Sequence, residues 1–238
     1  KPMGLSLADC DAMVDAQRRS GKLLMVAHCI RFWPEYEYLM DMVRSGESGR
    51  LLSLQLVRQG AAPRDEHWMS QAALSGGAIL DLHIHDLDFC QYVLGLPDHV
   101  YAQGGQSMGS QRGYDYVHTS LDYGPDLMVS AASHWSGVRI PFVARYEARL
   151  ERAFLQFDSS KQPSLVVYRA GASEPEYPNF PQPDAYLNEI RYFLGCIQDG
   201  REPLRCQPIQ SRNAVALSLA AAASIQRRSL VPMAEFAR

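Results

Sequence analysis

The stretch YVHTSLDYGPDLMVSAASHW, residues 116–135, decides the fold class of this chain. Apolar and polar residues alternate on both sides of the link Gly124-Pro125, as is typical of two half-buried strands joined by a turn. A link this short joins antiparallel strands, because parallel strands need a crossover of about a dozen residues or more. The stretch therefore predicts two antiparallel strands of a larger sheet.

Further strands and helices are predicted on both sides of this stretch. The other strands are expected near Leu51 to Arg58, Val100 to Gln106, Arg145 to Glu151, Ala153 to Phe157 and Ser164 to Tyr168. Helices are expected from the N-cap Ser6 to Arg19, from Glu35 to Arg44, from Ala78 to Leu94, from Asp184 to Gln198 and from Ser211 to Arg228. Since most strands follow one another without a helix between them, the pattern predicts an α+β fold, with a large, mostly antiparallel open sheet and helices on one face.

The beginning of the chain follows a different pattern. After the first helix and Gly21, the run Lys22 to Ala27 (KLLMVA) has the length of a strand, and we expect it to be buried on both faces. A helix followed by a buried strand resembles the end of an α/β layer.

Composition argues against several functional classes. The net charge of −3 argues against general binding of nucleic acid, which needs a basic face. No apolar run approaches the ~20 residues of a membrane-spanning helix, so we expect no membrane partner. The five cysteines are odd in number and form no CxxC pair, which is typical of a reducing, cytoplasmic compartment and argues against structural zinc.

The segment Gly76 to Asp88 (GGAILDLHIHDLD) carries the pattern with the clearest chemical meaning. On a helix, Asp81, His85 and Asp88 stand at i, i+4 and i+7 and share one face. Asp81 and His85 would then interact, and a histidine beside a carboxylate can exchange a proton near neutral pH. The alternative is a pair that only caps and solvates the helix, but apolar residues on most other sides favour a narrow polar face that lines a cleft.

A metal site is not expected at the HxH pair His83 and His85. Two positions apart on a helix, the side chains diverge by about 200° and cannot hold one ion.

Several segments occur in a particular order along the chain: Lys1-Pro2, His28 to Pro34 (HCIRFWP), Gly76 to Asp88, the trio Tyr186, Glu189 and Phe193, and Ser211 to Ser224. This ordered set resembles the Gfo/Idh/MocA oxidoreductases, the family of glucose-fructose oxidoreductase and inositol dehydrogenase. The resemblance covers essentially the whole chain. It implies an NAD(P)-dependent dehydrogenase that acts on a CH–OH group of a sugar, polyol or inositol-like substrate.

The resemblance also implies a domain organisation. Residues 1–30 correspond to the C-terminal remnant of a dinucleotide-binding Rossmann domain, and residues 31–238 to an α+β domain for substrate binding and oligomerisation. Because no GxGxxG follows a strand, we expect the NAD or NADP site to lie largely in a missing N-terminal domain and the chain alone to be inactive. The open sheet is expected to form a homodimer or homotetramer.

Catalytic roles follow from the same resemblance. Lys1 matches the family's lysine beside the nicotinamide and the substrate hydroxyl, and Pro2 follows it as in the family's Glu-Lys-Pro segment. Asp81 and His85 match the Asp-x-x-x-His pair. We expect His85 to act as general base, Asp81 to orient it and bind substrate, and Lys1 to stabilise the developing oxyanion.

Two further residues have both a functional and a structural interpretation. Trp68 is expected to wall the nicotinamide pocket, or else to be a core or interface tryptophan. Arg31 is expected to bind substrate near the domain junction, or else to pair with a carboxylate.

Two other functions stay open at this point. The chain could be a non-catalytic oligomerisation or sugar-binding module, in which the polar residues are remnants. It could also be an NAD-dependent glycosidase built on the same scaffold.

Overall fold

The computed structural model describes residues 1–180 and 184–238. Its sheet contains eight strands: β1 (Leu51–Ala61), β2 (His99–Gly105), β3 (Tyr116–Asp122), β4 (Met128–Ser136), β5 (Val143–Leu150), β6 (Ala153–Asp158), β7 (Leu165–Arg169) and β8 (Val231–Pro232). The helices are α1 (Leu7–Ser20), α2 (Pro34–Ser45), α3 (Ala72–Ser75), α4 (Ile84–Leu94), α5 (Ala185–Asp199) and α6 (Pro208–Arg227). Short 3₁₀ helices lie at Cys29–Phe32, Trp68–Ser70, Ser110–Arg112, Leu204–Cys206 and Met233–Phe236.

The strand order β7-β6-β5-β1-β4-β3-β2-β8 confirms the predicted open, mostly antiparallel sheet. The two predicted strands around Gly124-Pro125 are β3 and β4, which pair antiparallel from Tyr116 opposite His134 to Asp122 opposite Met128. One pairing differs from the rest, because β1 lies between β5 and β4 and runs parallel to β4. This parallel pair is possible because the long segment between β1 and β4 carries helices that cross over the sheet.

One face of the sheet forms the core, and the opposite face is left uncovered by the described residues along β3. In β3, Val117, Thr119 and Leu121 are buried, whereas Tyr116 and His118 are exposed. Helices α4 and α6 pack against each other and against the buried face. No helix in the described part of the chain is long and apolar enough to span a membrane.

The first helix agrees with its prediction, and the segment after it does not. The Ser6 hydroxyl accepts a hydrogen bond from the Asp9 N–H (3.1 Å) at the start of α1, and Gly21 ends the helix with φ +63°. Lys22 to Ala27 is not a strand, and residues 23–26 are only half-buried. The prediction of a doubly buried strand is therefore wrong here, because within residues 1–180 and 184–238 no strand pairs with this segment. The loop predicted over residues 168–183 extends into residues 181–183, which lie outside the described residues.

Candidate active site

The Gly76-Gly77 pair sets the geometry of the segment that contains Asp81 and His85. Both glycines have positive φ, +79° and +69°, and a Cβ on Gly77 would lie 2.8 Å from the carbonyl oxygen of Arg112. Only glycine fits a position that is both left-handed and this close to another backbone. The chain then forms a π-helical turn at Ile79–His83 before α4 begins, so the predicted uninterrupted α-helix is interrupted at its start.

A cavity of about 790 Å³ lies where this π-helical turn meets the end of β1 and the start of the chain. Lys1, Asp81 and His85 all line it, so the three residues predicted to be catalytic come together. Trp33 and Tyr186 add aromatic walls. The site is thus built from segments that are far apart in the sequence.

Asp81 contacts Lys1 rather than His85. The Lys1 ammonium lies 2.8 Å from Asp81 Oδ1 and also donates to the Asp81 carbonyl oxygen. His85 makes no side-chain hydrogen bond to any described residue, and its Nδ1 is buried without a partner. The expectation that Asp81 orients His85 is therefore wrong. Asp81 and His85 are not neighbours because Asp81 lies in the π-helical turn, where the i, i+4 geometry of an α-helix does not hold.

His85 is held in its neutral form. Burial, and then the positive charges of Lys1 and Arg58, lower the pKa of His85 well below its ordinary value of 6.5. Its Nε2 is not among the buried atoms without a partner, so this nitrogen remains open to the cavity. A neutral imidazole with an open nitrogen can accept a proton from a bound hydroxyl group.

Asp88 and Arg31 lie away from this cavity. The two side chains are fully buried and form a two-point ion pair, with Arg31 Nη2 2.6 Å from Asp88 Oδ1 and Nε 2.8 Å from Oδ2. Arg31 Nη1 also donates to the carbonyl oxygen of Arg205 and to Gln210 Oε1, each at 2.6 Å. The prediction that Arg31 binds substrate is corrected by these contacts, because every nitrogen of its guanidinium group is used inside the protein. The prediction that Asp88 shares one face with Asp81 and His85 is also wrong, because Asp88 is buried against Arg31 and does not line the cavity.

Trp68 stands outside the cavity lining, although His67 and Met69 on either side of it belong to the lining. Its side chain is 55% exposed, which excludes the interpretation as a core residue. Pro2, half-buried, also lies outside the lining.

His83 is fixed between two strands, apart from His85. Its Nδ1 lies 2.9 Å from the Ser133 hydroxyl and its Nε2 lies 2.8 Å from the Thr119 hydroxyl. Both ring nitrogens are thus used in the core. In the described part of the chain, no group of three or more His, Cys, Asp or Glu side chains could hold a metal ion.

Arg58 is a cavity residue that sequence reasoning missed. It lies on β1, is 2% exposed and forms a buried ion pair with Asp86 of α4. The sequence contained a signal for this position. Arg58 follows Leu54 and Leu56 at every second position of β1, so it lies on the same, core-facing side of the strand. An arginine on the core face of a strand indicates a buried partner or a ligand.

Comparisons with known proteins show which family the chain is similar to. Residues 36–147 match the GFO/IDH/MocA C-terminal domain. The chain is 33% identical over 130 residues, 52% of its length, to the 2,7-anhydro-N-acetylneuraminate hydratase of Escherichia coli (strain K12), and this alignment covers only 35% of that relative. It is 24% identical over 244 residues to the myo-inositol 2-dehydrogenase of Thermotoga maritima, which covers 99% of this chain and 72% of that relative.

Solved structures show the same fold. A levoglucosan dehydrogenase in complex with NADH and levoglucosan superimposes with a TM-score of 0.84 at 19% identity, covering 98% of this chain and 72% of that chain. An aldose-aldose oxidoreductase from Caulobacter crescentus, complexed with glycerol, gives a TM-score of 0.84 at 21% identity, covering 98% of this chain and 70% of that chain.

Proposed function

This chain contains a C-terminal domain of the GFO/IDH/MocA family, and on that premise we propose that it is the substrate-binding part of an NAD(P)-dependent dehydrogenase. The proposed reaction is oxidation of a CH–OH group of a sugar, polyol or inositol-like substrate. One observation carries the proposal: Lys1 meets Asp81 and a neutral His85 in a single cavity, although 80 positions separate Lys1 from Asp81 in the sequence. That arrangement also favours an enzyme over a non-catalytic module.

His85 is the proposed general base. Hydride leaves a carbinol carbon readily only when its hydroxyl group loses a proton, and the open Nε2 of His85 can take that proton. Its protonation is resisted by burial and by Lys1, so the base is present in its active form across the neutral pH range.

Lys1 is the proposed stabiliser of the developing negative charge. Its ammonium is held by Asp81 through both the carboxylate and the carbonyl oxygen, which fixes its position in the lining of the cavity. A positioned ammonium beside a developing oxyanion contributes about 3 kcal/mol to catalysis in a site that excludes water. Asp81 therefore acts through Lys1 and also remains a candidate ligand for a substrate hydroxyl.

The residues of the cavity fit a nicotinamide cofactor in their chemistry, because a neutral base beside a fixed ammonium is what alcohol oxidation requires. Lys1 and Pro2 would contact the nicotinamide, and the exposed Trp68 would cover it from the rim of the cavity. When bound, the nicotinamide would accept the hydride.

We further propose that residues 1–30 belong to the cofactor domain and residues 31–238 to the α+β domain. Residues 23–26 support this, since they are half-buried and pair with no strand of the described residues, and such a segment is suited to join a sheet. The uncovered face of the large sheet, with Tyr101, Tyr116 and Met128 exposed, is the proposed contact for a homodimer or homotetramer.

The test uses the complete encoded polypeptide, NAD⁺ or NADP⁺, and a panel of sugars and polyols. We expect His85→Gln and Lys1→Met each to lower kcat about a hundredfold or more, because each removes a group that acts on the reacting oxygen. The matched control is His99→Gln, a surface histidine of β2, which should leave kcat unchanged. Full turnover in His85→Gln would contradict the proposed base.

A further inference from the structure

The cavity around His85 is lined by three positively charged side chains, Lys1, Arg58 and Arg64, and by a single carboxylate among the described residues. Asp81 is the only carboxylate among the described residues of its lining, and it is already paired with Lys1. No asparagine, glutamine or glutamate of the described chain lines the cavity. The two arginines and two indoles of the lining only donate, whereas the Tyr186 hydroxyl and the imidazoles of His67 and His85 can also accept.

This excess of charged donors over carboxylates favours a substrate that carries a negative charge. Each hydroxyl group of a neutral sugar donates as well as accepts, so a site built for it needs acceptors. A carboxylate only accepts, and its hydrogen bonds from charged donors are among the strongest in proteins.

Arg58 presents one free nitrogen to this cavity. Its Nε and Nη2 donate to Asp86 at 3.2 and 2.8 Å, and Nη2 also donates to the Tyr36 hydroxyl at 3.3 Å. Its Nη1 has no hydrogen-bond partner among the described residues, and it is not one of the buried atoms without a partner. Because Arg58 lines the cavity, Nη1 is the donor that a ligand would meet.

The surroundings hold Arg58 in one orientation. Asp86 is fully buried on α4, and the rings of Trp33 and Phe142 lie 5.9 and 5.8 Å from the guanidinium carbon. A buried ion pair contributes little stability compared with apolar residues of the same size. Packing alone therefore gives no reason for an arginine at this position, whereas a ligand for Nη1 does.

Arg64 adds an unpaired positive charge at the rim of the same cavity. Its side chain is exposed and makes no hydrogen bond or ion pair with the described residues. The Arg58 charge is balanced by Asp86 and that of Lys1 by Asp81, so Arg64 leaves the cavity with an excess of positive charge.

We propose that Arg58 Nη1 binds a carboxylate of the substrate, so that the substrate class is a sugar acid, such as an aldonic or uronic acid. This inference rests on the proposed dehydrogenase function and narrows its substrate. Arg58 is then a specificity-determining residue, and Arg64 attracts the anion to the cavity.

The experiment compares matched substrates on the complete polypeptide. Each neutral sugar is paired with its acid, for example D-glucose with D-glucuronate and with D-gluconate, and kcat/KM is measured for each member. We expect the acid to be preferred about tenfold to hundredfold, the size of one hydrogen bond to a charged group. Arg58→Lys keeps the positive charge beside Asp86 but has no second nitrogen, so kcat/KM for the acid should fall much more than kcat/KM for the neutral sugar, and the preference for the acid should collapse.

The control is Arg145→Lys, which changes an arginine that pairs with Asp158 on the open face of the sheet (2.9 Å). It should leave the preference unchanged. If Arg58→Lys does not fold, Arg64→Gln replaces it, and a loss of several-fold in kcat/KM for the acid alone is expected from the lost charge.

The outcomes separate this inference from the proposed function. Oxidation of neutral sugars with no preference for their acids would overturn the inference and leave the dehydrogenase intact. If no substrate is oxidised with either nucleotide, calorimetric titration with D-glucuronate and D-glucose decides the inference by itself. Binding of D-glucuronate that Arg58→Lys weakens would support it, and equal or absent binding of the two would overturn it.

Discussion

The buried pair of Arg31 and Asp88 gives the sharpest test of the structure. Both side chains are fully buried, and two hydrogen bonds of 2.6 and 2.8 Å join them. Asp88→Asn keeps the shape of the side chain but leaves the guanidinium group without its counter-charge. Removing one partner of a buried ion pair costs about 3–5 kcal/mol. The lower end is expected here, since Arg31 keeps its bonds to Arg205 and Gln210, so we expect a loss of about 3 kcal/mol.

Urea and thermal unfolding measure this loss. For a chain of this length, about 3 kcal/mol corresponds to a decrease in Tm of roughly 6–12 °C. Arg31→Met alone should also destabilise, because it leaves the Asp88 carboxylate buried and unpaired. The double variant should cost clearly less than the sum of the two single variants, since it removes both charges together. Loss of less than about 1 kcal/mol in Asp88→Asn, or additive single effects, would refute the pairing and reopen the interpretation of Arg31 as a substrate ligand.

Two pH predictions follow from the histidines. Burial lowers the pKa of His83 to about 3, against an ordinary value of 6.5. Between these two pH values the unfolded chain therefore binds more protons than the folded chain. As a result, the free energy of unfolding should fall as pH drops from 6.5 towards 3. Urea titrations at pH 7 and pH 4.5 check this, and His83→Gln should be less stable at pH 7 but show a smaller dependence on pH; equal slopes would contradict it. For the enzyme, kcat/KM should be level from about pH 6 to 8, because the pKa of His85 already lies well below its ordinary value. A rise through pH 7 that disappears in His85→Gln would show that His85 is protonated there.

Local patterns predicted most of the secondary structure. Alternation around Gly124-Pro125 predicted β3 and β4, and the cap at Ser6 predicted the start of α1. Alternation and capping are set by residues that are close together in the sequence, so both can be predicted from the sequence alone. The prediction for Lys22 to Ala27 was wrong because a strand requires a partner, and apolar composition does not supply one.

The candidate site was predictable only in part. The resemblance to a family identified Lys1, Asp81 and His85, and the structure brings all three to one cavity. Their contacts were not predictable, because the π-helical turn after Gly76-Gly77 depends on the close approach of the Arg112 backbone. Spacing on an ideal helix therefore paired Asp81 with His85, whereas the folded chain pairs Asp81 with Lys1.

The sequence by itself determined the fold class, the limits of most elements and the residues that could exchange a proton. Only the tertiary structure decided how the two arginines are used. Arg31 forms a fully buried ion pair with Asp88, whereas Arg58 lines the cavity and keeps one nitrogen without a partner among the described residues. Both are arginines beside apolar residues, and nothing local distinguishes them. Their partners come from α4, which lies far away in the chain, and the packing of that helix against the sheet determines which guanidinium group is fully used and which one can bind a ligand.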